Sequence, residues 1–430
     1  MQRIARRMRK VLQQCREQRR IILFLTSQAI TLFGSSLVQY AMMWYVARVT
    51  DSGQMIALFT IFGFLPQVLV SLFSGVWADR YDRRKMIMLA DGGIAGATLV
   101  LCLIMLQGYE GMLPIFFISA IRSFGSGIQG PAVNALIPQI VEEKHLMRVN
   151  SINGTIQSLV MLVAPIAGAG LLVLGSLPTV LMVDVVTAAI GIGVLLHLRI
   201  PPHERALEKI QTHPLEDFRA GMRYARKSFF IRRMTIYYLV TSALIVPAAT
   251  FNVLFVTRVY GESYLYLALN EAFFFTGSLA GGIALAAWGG FQNRICTVAM
   301  GCAVFGLSTL LMGFLPPIWL YLAVILVAGL TMPTFQSPVM VLMQEKIEGH
   351  MLGRIFSLMQ IVSTLVMMVS TAVTGSISDR VPIERLMIFS GTLLMLLGGV
   401  FILDKRFLKE GLPKTPSPAP ASPGQGEIPG

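Results

Sequence analysis

The chain has 430 residues, 55% of them hydrophobic and only 13% charged, with a mean hydropathy of +0.68. Soluble domains carry roughly a quarter charged residues, so this composition excludes a water-exposed globular surface. The net charge of +13 does not mark a nucleic-acid binder, because its distribution is the one that membrane orientation imposes.

Residues 1–20, MQRIARRMRKVLQQCREQRR, form a basic N-terminus. The apolar run that follows exceeds the roughly 7–15 residue core of a signal peptide and closes on no small-residue cleavage site, so it reads as a spanning helix. Apolar runs of about 18–25 residues then recur, each long enough to cross a hydrocarbon core of about 30 Å. They predict twelve spans, near 21–48, 54–77, 86–107, 112–138, 152–176, 178–198, 233–257, 264–289, 294–315, 317–343, 352–377 and 385–403. The expected fold class is an all-α polytopic membrane protein, with six-helix bundles over 21–198 and 233–403.

A polar linker, 199–232, joins the bundles. Pro214 followed by Glu216 and Asp217 predicts a helix start, and Phe218, Met222, Ala225 and Phe229 share one face at helical spacing. An amphipathic helix along the membrane surface is expected there. The tail over 404–430 is expected to be disordered, being rich in Pro, Gly and Ser from Leu412 on. Of the 35 Lys and Arg, only Arg48, Arg258, Arg380 and Arg385 fall on the far face, and Arg122 alone lies within a span. The positive-inside rule then places both termini in the cytoplasm of a cell that carries the chain in its plasma membrane.

No P-loop, HExxH or supported Ser/His/Asp set occurs, and no segment between spans is long enough for a catalytic domain. An enzyme is not expected, nor is a cofactor. Cys15, Cys102, Cys296 and Cys302 show no CxxC or Cys/His metal pattern and are expected to be reduced thiols. Two six-helix halves without an enzyme domain point to a secondary transporter whose halves rock about a midplane site.

The turn between spans 2 and 3 is GVWADRYDRRK, residues 75–85. It resembles the signature loop of the major facilitator superfamily, G-x-L-A-D-R-x-G-R-[KR], at Gly75, Ala78, Asp79, Arg80, Arg83 and Arg84. Trp77 replaces the usual Leu, and Asp82 the usual Gly, a residue favoured where φ is positive. The resemblance extends over nearly the whole chain. RSFGSGIQGPAVNALIPQIVEEKHLMRVNS in span 4 carries Arg122 at the place of the family's intramembrane arginine. APIAG in span 5 matches Pro165 and Gly168 of a helix-bending antiporter pattern. SQAITLFGSSLVQYAMMWYV and QEKIEGHMLGRIFSLMQ are similar to the drug:proton antiporter branch that includes macrolide-efflux and enterobactin-exporter proteins. The counterpart signature WGGFQNR keeps Gly289, Gly290 and Arg294 but no acid.

The resemblance implies a conformational latch: Asp79 would accept hydrogen bonds from the N-terminus of span 11, near Gly353 and Arg354. Arg83 would hold Asp79 or pair with Glu142 or Glu143; Arg80, Arg84 and Lys85 read as orientation anchors. Intramembrane ionisable groups are costly and so are functional candidates. Glu271, Arg122, Asp184 and Asp91 are the candidates for proton coupling, each with a packing role as its alternative. Gln28, Thr31, Ser35 and Gln39 form one polar stripe on span 1, beside Tyr40. With Arg122, Gln129, Thr334, Ser337 and Gln360 they are candidates for lining a substrate cavity. Together these features predict proton-coupled efflux of hydrophobic or amphiphilic molecules, such as macrolides, by a monomer in lipid. Export of a siderophore or endogenous metabolite is one alternative; an uncoupled scaffold or lipid-handling protein is another.

Overall fold

A computed structural model describes residues 2–109, 111–198, 222–224, 228–261 and 263–412. The regular elements among them are α-helices: α1 Gln2–Thr50, α2 Gly53–Arg80, α3 Arg83–Leu106, α4 Met112–Ile140, α5 Glu143–Leu174, α6 Leu177–His197, α7 Phe229–Ala249, α8 Asn252–Tyr260, α9 Tyr264–Trp288, α10 Arg294–Met312, α11 Ile318–Lys346, α12 Gly349–Ser378, α13 Ile383–Leu403 and α14 Lys405–Glu410. The amphipathic helix expected in the linker falls almost wholly outside the described residues.

Eleven stretches among the described residues are long and apolar enough to cross a bilayer. The expected span outside that group is α4, where Arg122, Gln129 and several Gly, Ser and Pro residues dilute a 29-residue helix. The seventh span is broken, with α7 ending after Pro247 and α8 starting at Asn252. Proline lacks an N–H and so frees the carbonyl four residues back. Ser370 on α12 donates its hydroxyl to that carbonyl, on Ala243, at 2.8 Å.

Two seams join the halves: α2 packs on α12, and α5 on α9, each pair antiparallel. The α2–α3, α4–α5 and α9–α10 connections lie on the face that carries most of the Lys and Arg, here named the basic face. The large core cluster extends across both halves. From the N-terminal half it takes Leu37 to Ala47, Ile56 to Phe59, Ile115 to Ile118 and Val160 to Leu181, all toward the face opposite the basic one. The basic-face end of that half keeps a separate core around Phe24, Ile87 and Leu136. Among the described residues, the halves therefore share an interior at one end only.

Two glycines on α2 report the same asymmetry. A Cβ on Gly53, at the opposite face, would fall 1.8 Å from Ser378 Oγ and 3.1 Å from the Gly375 carbonyl oxygen. A Cβ on Gly75, at the basic face, would meet nothing within 4 Å. Among the described residues, the cleft between the halves is closed at the opposite face and parted at the basic face.

The chain from 404 to 412 departs from the featureless tail expected there. Asp404 N-caps α14, accepting from Phe407 N at 3.1 Å and from the Tyr237 hydroxyl at 2.9 Å. Phe407 is fully buried against Phe230, Tyr237 and Phe401, and Lys346 pairs with Glu410 at 2.8 Å. An apolar anchor at the third helical position overrides the polar composition around it. The Phe407 amide, with smaller contributions from Tyr237 and Arg233, holds the Asp404 carboxyl below its ordinary range. A depressed carboxylate stabilises above its unfolded value and releases that contribution only as pH falls through the folded one. The contribution of this cap is therefore present at neutral pH.

Within the C-terminal half, α9 and α11 approach backbone to backbone. Cβ atoms on Gly277 and Gly281 would lie 2.1 and 2.2 Å from the carbonyl oxygens of Leu326 and Leu330. Small residues at such crossings replace a hydrophobic driving force with close packing. Gly281→Val should cost about 1–3 kcal/mol as overpacking and lower the thermal midpoint in detergent. Gly96→Val on α3, with nothing within 4 Å of its Cβ, should leave the midpoint unchanged.

Candidate functional site

Arg122 is 4% exposed and sits at the centre of the N-terminal bundle. It pairs with Asp184 on α6 and donates to Thr98 on α3 and, at 3.2 Å, to the Ser35 carbonyl on α1. Asp184 also accepts from Ser35 Oγ at 3.0 Å and from Thr98 Oγ1 at 3.1 Å. One arginine and one aspartate thus tie α1, α3, α4 and α6 together. A buried charge survives in hydrocarbon only when paired and hydrogen-bonded; this pair is so held within one half, with the Arg122 Nε left without a partner among the described residues. Arg122 and Asp184 are committed to each other.

The other two acids are placed differently. Asp91 on α3 is 1% exposed, with Gln129 of α4 as its hydrogen-bonding neighbour. Glu271 on α9 is half-buried beside Asn270. The Asn270 amide oxygen accepts from Asn252 Nδ2 at 2.9 Å, and the Tyr321 hydroxyl lies between the two asparagine oxygens, 2.8 Å from that of Asn270. That leaves the Asn270 N–H₂ group to donate to Glu271. Glu271 also interacts electrostatically with Tyr40 on α1, in the other half. It therefore stands where the halves meet, at the level of the break between α7 and α8. Asn252 and Tyr321 were not signalled by sequence; the break beside Asn252 is the feature that could have found them.

The polar stripe of α1 turns inward rather than forming one wall. Thr31 packs on Gly191 of α6, where an added Cβ would meet its Oγ1 at 2.2 Å. Ser35 faces Asp184 of α6, and Gln28 accepts from Gln129 Nε2 on α4 at 3.3 Å. Gln39 lies against Gly63 of α2, while Tyr40 packs against Trp44 with ring centroids 5.9 Å apart. Thr334 also turns inward, against Gly301 of α10, whereas Ser337 and Gln360 are exposed. α5 runs through Pro165 without a break, and Gly168 faces the Leu37 carbonyl of α1.

A cavity of about 120 Å³ lies between α7, α10, α11 and α13. Tyr238, Ser242 and Met332 are among its partly exposed lining, Gln336 is exposed, and Thr241, Phe335 and Phe401 are buried. Drug-sized ligands occupy roughly 300–1,000 Å³, so this cavity suits one ring or branched group of a larger molecule. Aromatic and thioether walls with a few hydroxyls and one amide favour an amphiphile over an ion.

The loop after α2 has its own chemistry. Arg83 donates to the carbonyls of Ala78 and Ala135, both at 2.8 Å, and Arg84 to that of Leu196 at 2.7 Å. These arginines complement the C-terminal ends of α2, α4 and α6, where cations are favoured. Asp82 has φ −64° and N-caps α3, accepting from Arg84 N at 3.0 Å; no positive φ is required, which is why Asp can stand for Gly. Arg80 is exposed. The side chains of Asp79 and Arg354, and the surroundings of Gly353, lie outside the described residues. α12 starts at Gly349, about one turn before the expected position, so Gly353 lies within the helix. In the eroded counterpart loop, Gly289 and Gly290 keep positive φ of 81° and 77°. Arg294 there pairs with Glu345 of α11, so the acid missing from the loop comes from another helix.

Comparison with known proteins gives a consistent picture. The family model described as Major Facilitator Superfamily matches residues 24–371. Macrolide efflux protein A of Streptococcus pyogenes is 26% identical over 370 residues, covering 86% of this chain and 91% of that protein. Multidrug efflux pump Tap of Mycobacterium bovis is 22% identical over 350 residues, covering 79% and 82%. Among solved structures, a bacterial homologue of the human lysosomal transporter Spinster, inward-facing and unoccupied, matches with TM-score 0.69 at 13% identity, over 93% of this chain and 99% of that one. A bacterial homologue of the iron transporter ferroportin, inward-facing, matches with TM-score 0.65 at 17% identity, over 90% and 98%.

Arg122→Ala should strand the Asp184 charge and cost about 3–5 kcal/mol, the range for breaking one side of a buried pair. Arg122→Met with Asp184→Leu should recover most of that loss. Thermal unfolding of the three proteins in one detergent checks both statements.

Proposed function

We propose that this chain, which belongs to the Major Facilitator Superfamily, exports hydrophobic or amphiphilic small molecules by alternating access, driven by protons moving the other way. The basic face is cytoplasmic in this reading, with both termini on it, in the plasma membrane. The parted cleft then faces the cytoplasm, as befits an exporter about to load. The observation that carries the reading is the cavity beside α7 and α11, whose aromatic, thioether and hydroxyl lining suits one ring or branched group of a larger amphiphile. The names of the macrolide and multidrug efflux relatives support the same substrate class.

Glu271 is the group assigned to proton coupling. It lies where the halves meet and interacts with Tyr40 across that seam, so opening or closing the seam changes its surroundings. A carboxyl whose environment differs between two states biases their balance when it gains or loses a proton. Asp91 is buried beside Gln129 within one half, as is the Arg122–Asp184 pair; the reading gives these three residues to the stability of the N-terminal bundle. The alternative of an anionic siderophore or metabolite needs a free cation in the cavity. Arg122, the residue that favoured it, is taken by Asp184. The working unit in this reading is a monomer in lipid.

Reconstituted protein should acidify or alkalinise the vesicle lumen in step with movement of a macrolide or a lipophilic dye. Glu271→Gln should abolish uphill transport driven by a pH gradient, while exchange of labelled for unlabelled substrate continues. Wild-type protein that moves no protons with any substrate in a panel of macrolides, dyes and siderophores would refute the antiport mechanism. Uphill transport by Glu271→Gln at the wild-type rate would clear that residue of the role.

A further inference from the structure

At the face opposite the basic one, α12 ends in a carboxylate aimed at the start of α2. Asp379 accepts from Gly53 N at 2.6 Å, Gln54 N at 3.1 Å and Ser52 Oγ at 2.8 Å. The first backbone N–H groups of a helix have no partner within it, and that end carries partial positive charge. Here the partner comes from the other half of the molecule, more than 300 residues along the chain. Ser52 completes the cap by accepting from Met55 N at 3.4 Å.

A second strand of the same contact runs through Arg258, at the end of α8. Its guanidinium donates to Asp51 Oδ1 at 2.8 Å, to the Asp51 carbonyl at 2.6 Å and to the Ser378 carbonyl at 3.0 Å, with Asp379 Oδ1 at 3.8 Å. Arg258 therefore joins both partners of the cap. Asp51 holds φ at 43°, a left-handed conformation that Asp tolerates better than most residues. It presents both its carboxylate and its carbonyl to the arginine. Close approach of the helices is a precondition: a Cβ on Gly375 would lie 2.7 Å from the Gly53 carbonyl oxygen and 2.6 Å from Ala57 Cβ.

We propose that Asp379, with Arg258, Asp51 and the first turn of α2, is the clip that holds the closed face of the transporter shut. Every contact in it crosses between the halves except the Ser52 cap and those of Arg258 with Ser378 and Asp379, so opening this face must break it. Asp379 is a positioning residue in the transport cycle and touches no substrate. The sequence carries the same pattern at both ends of the seam, Gly75-x-x-x-Asp79-Arg80 closing α2 and Gly375-x-x-x-Asp379-Arg380 closing α12. Because α2 and α12 run antiparallel, each acid sits on the face where the other helix begins. The clip does not depend on which molecule is carried.

The test is the distance between spin labels at Tyr109→Cys and Phe314→Cys, exposed positions on that face in opposite halves, with the four native cysteines replaced. It needs no substrate, so it stands apart from the export reading. Asp379→Asn keeps the shape but removes the charged acceptor; charge-assisted bonds are about twice as strong as neutral ones. The longer-distance population should rise at least about fivefold relative to the shorter one, as loss of on the order of 1 kcal/mol gives. Arg258→Gln should move the distribution the same way, and carries the test if Asp379→Asn fails to fold. Folded variants whose distance distributions match that of the parent would overturn the proposal.

Discussion

Hydrocarbon supplies no water to a buried polar group, so each such group in a membrane bundle must find its partner in the protein. The architecture follows from where those partners are. Arg122 finds Asp184, and that pairing fixes four helices of the N-terminal half as one body. Pro247 frees a carbonyl, and Ser370 takes it, which lets the seventh span break without leaving an orphan. Asn252, Asn270 and Tyr321 satisfy one another at that break. Polar groups closed within one half make the half rigid. Polar groups shared between halves make the joint.

That distinction sorts the charged residues better than hydropathy does. Arg83 and Arg84 bind carbonyls at the ends of neighbouring helices in their own half, and Arg294 with Glu345 does the same in the other half. These contacts hold bundles together whichever way the molecule faces. The contacts of Asp379 and Arg258 with residues 51–54 cross the joint and belong to one state only.

Much of the fold was legible in the sequence because a long apolar run in a chain this poor in charge has few alternatives to a spanning helix. The resemblance to the superfamily at residues 75–85 agreed with the family match over 24–371. The site was less legible. Helical spacing puts Thr31 and Ser35 on one face of α1, but only the three-dimensional structure shows that this face meets Gly191 and Asp184 of α6. The partner of Arg294 lies 51 residues away on another helix, beyond any local motif. Asp82 stands where such a turn usually has Gly, yet it N-caps α3 with ordinary backbone angles. The order of 404–412 was hidden because one buried phenylalanine decides it. The repeat of Gly-x-x-x-Asp-Arg at 375–380 was visible all along, but its meaning depends on α2 and α12 being neighbours.

A transporter must leave each of its states, which limits how strong a clip can be. Moving a two-state balance from one side fully to the other takes about 5.5 kcal/mol, so a seal much stronger than that would trap the molecule. The side chains of Arg258, Asp379 and Asp51 are 24%, 28% and 65% exposed. Water and salt therefore screen their attraction, and partly exposed ion pairs contribute only modestly. When the face opens, the amides of Gly53 and Gln54 can pass from Asp379 to solvent, without the penalty an unpartnered group would suffer deeper in the membrane. The Arg122–Asp184 pair, at 5% and 0% side-chain exposure, has no such exchange available. The fold thus keeps its fully buried charge pair inside one half and puts its breakable one at the edge, where water can take over each bond that the motion gives up.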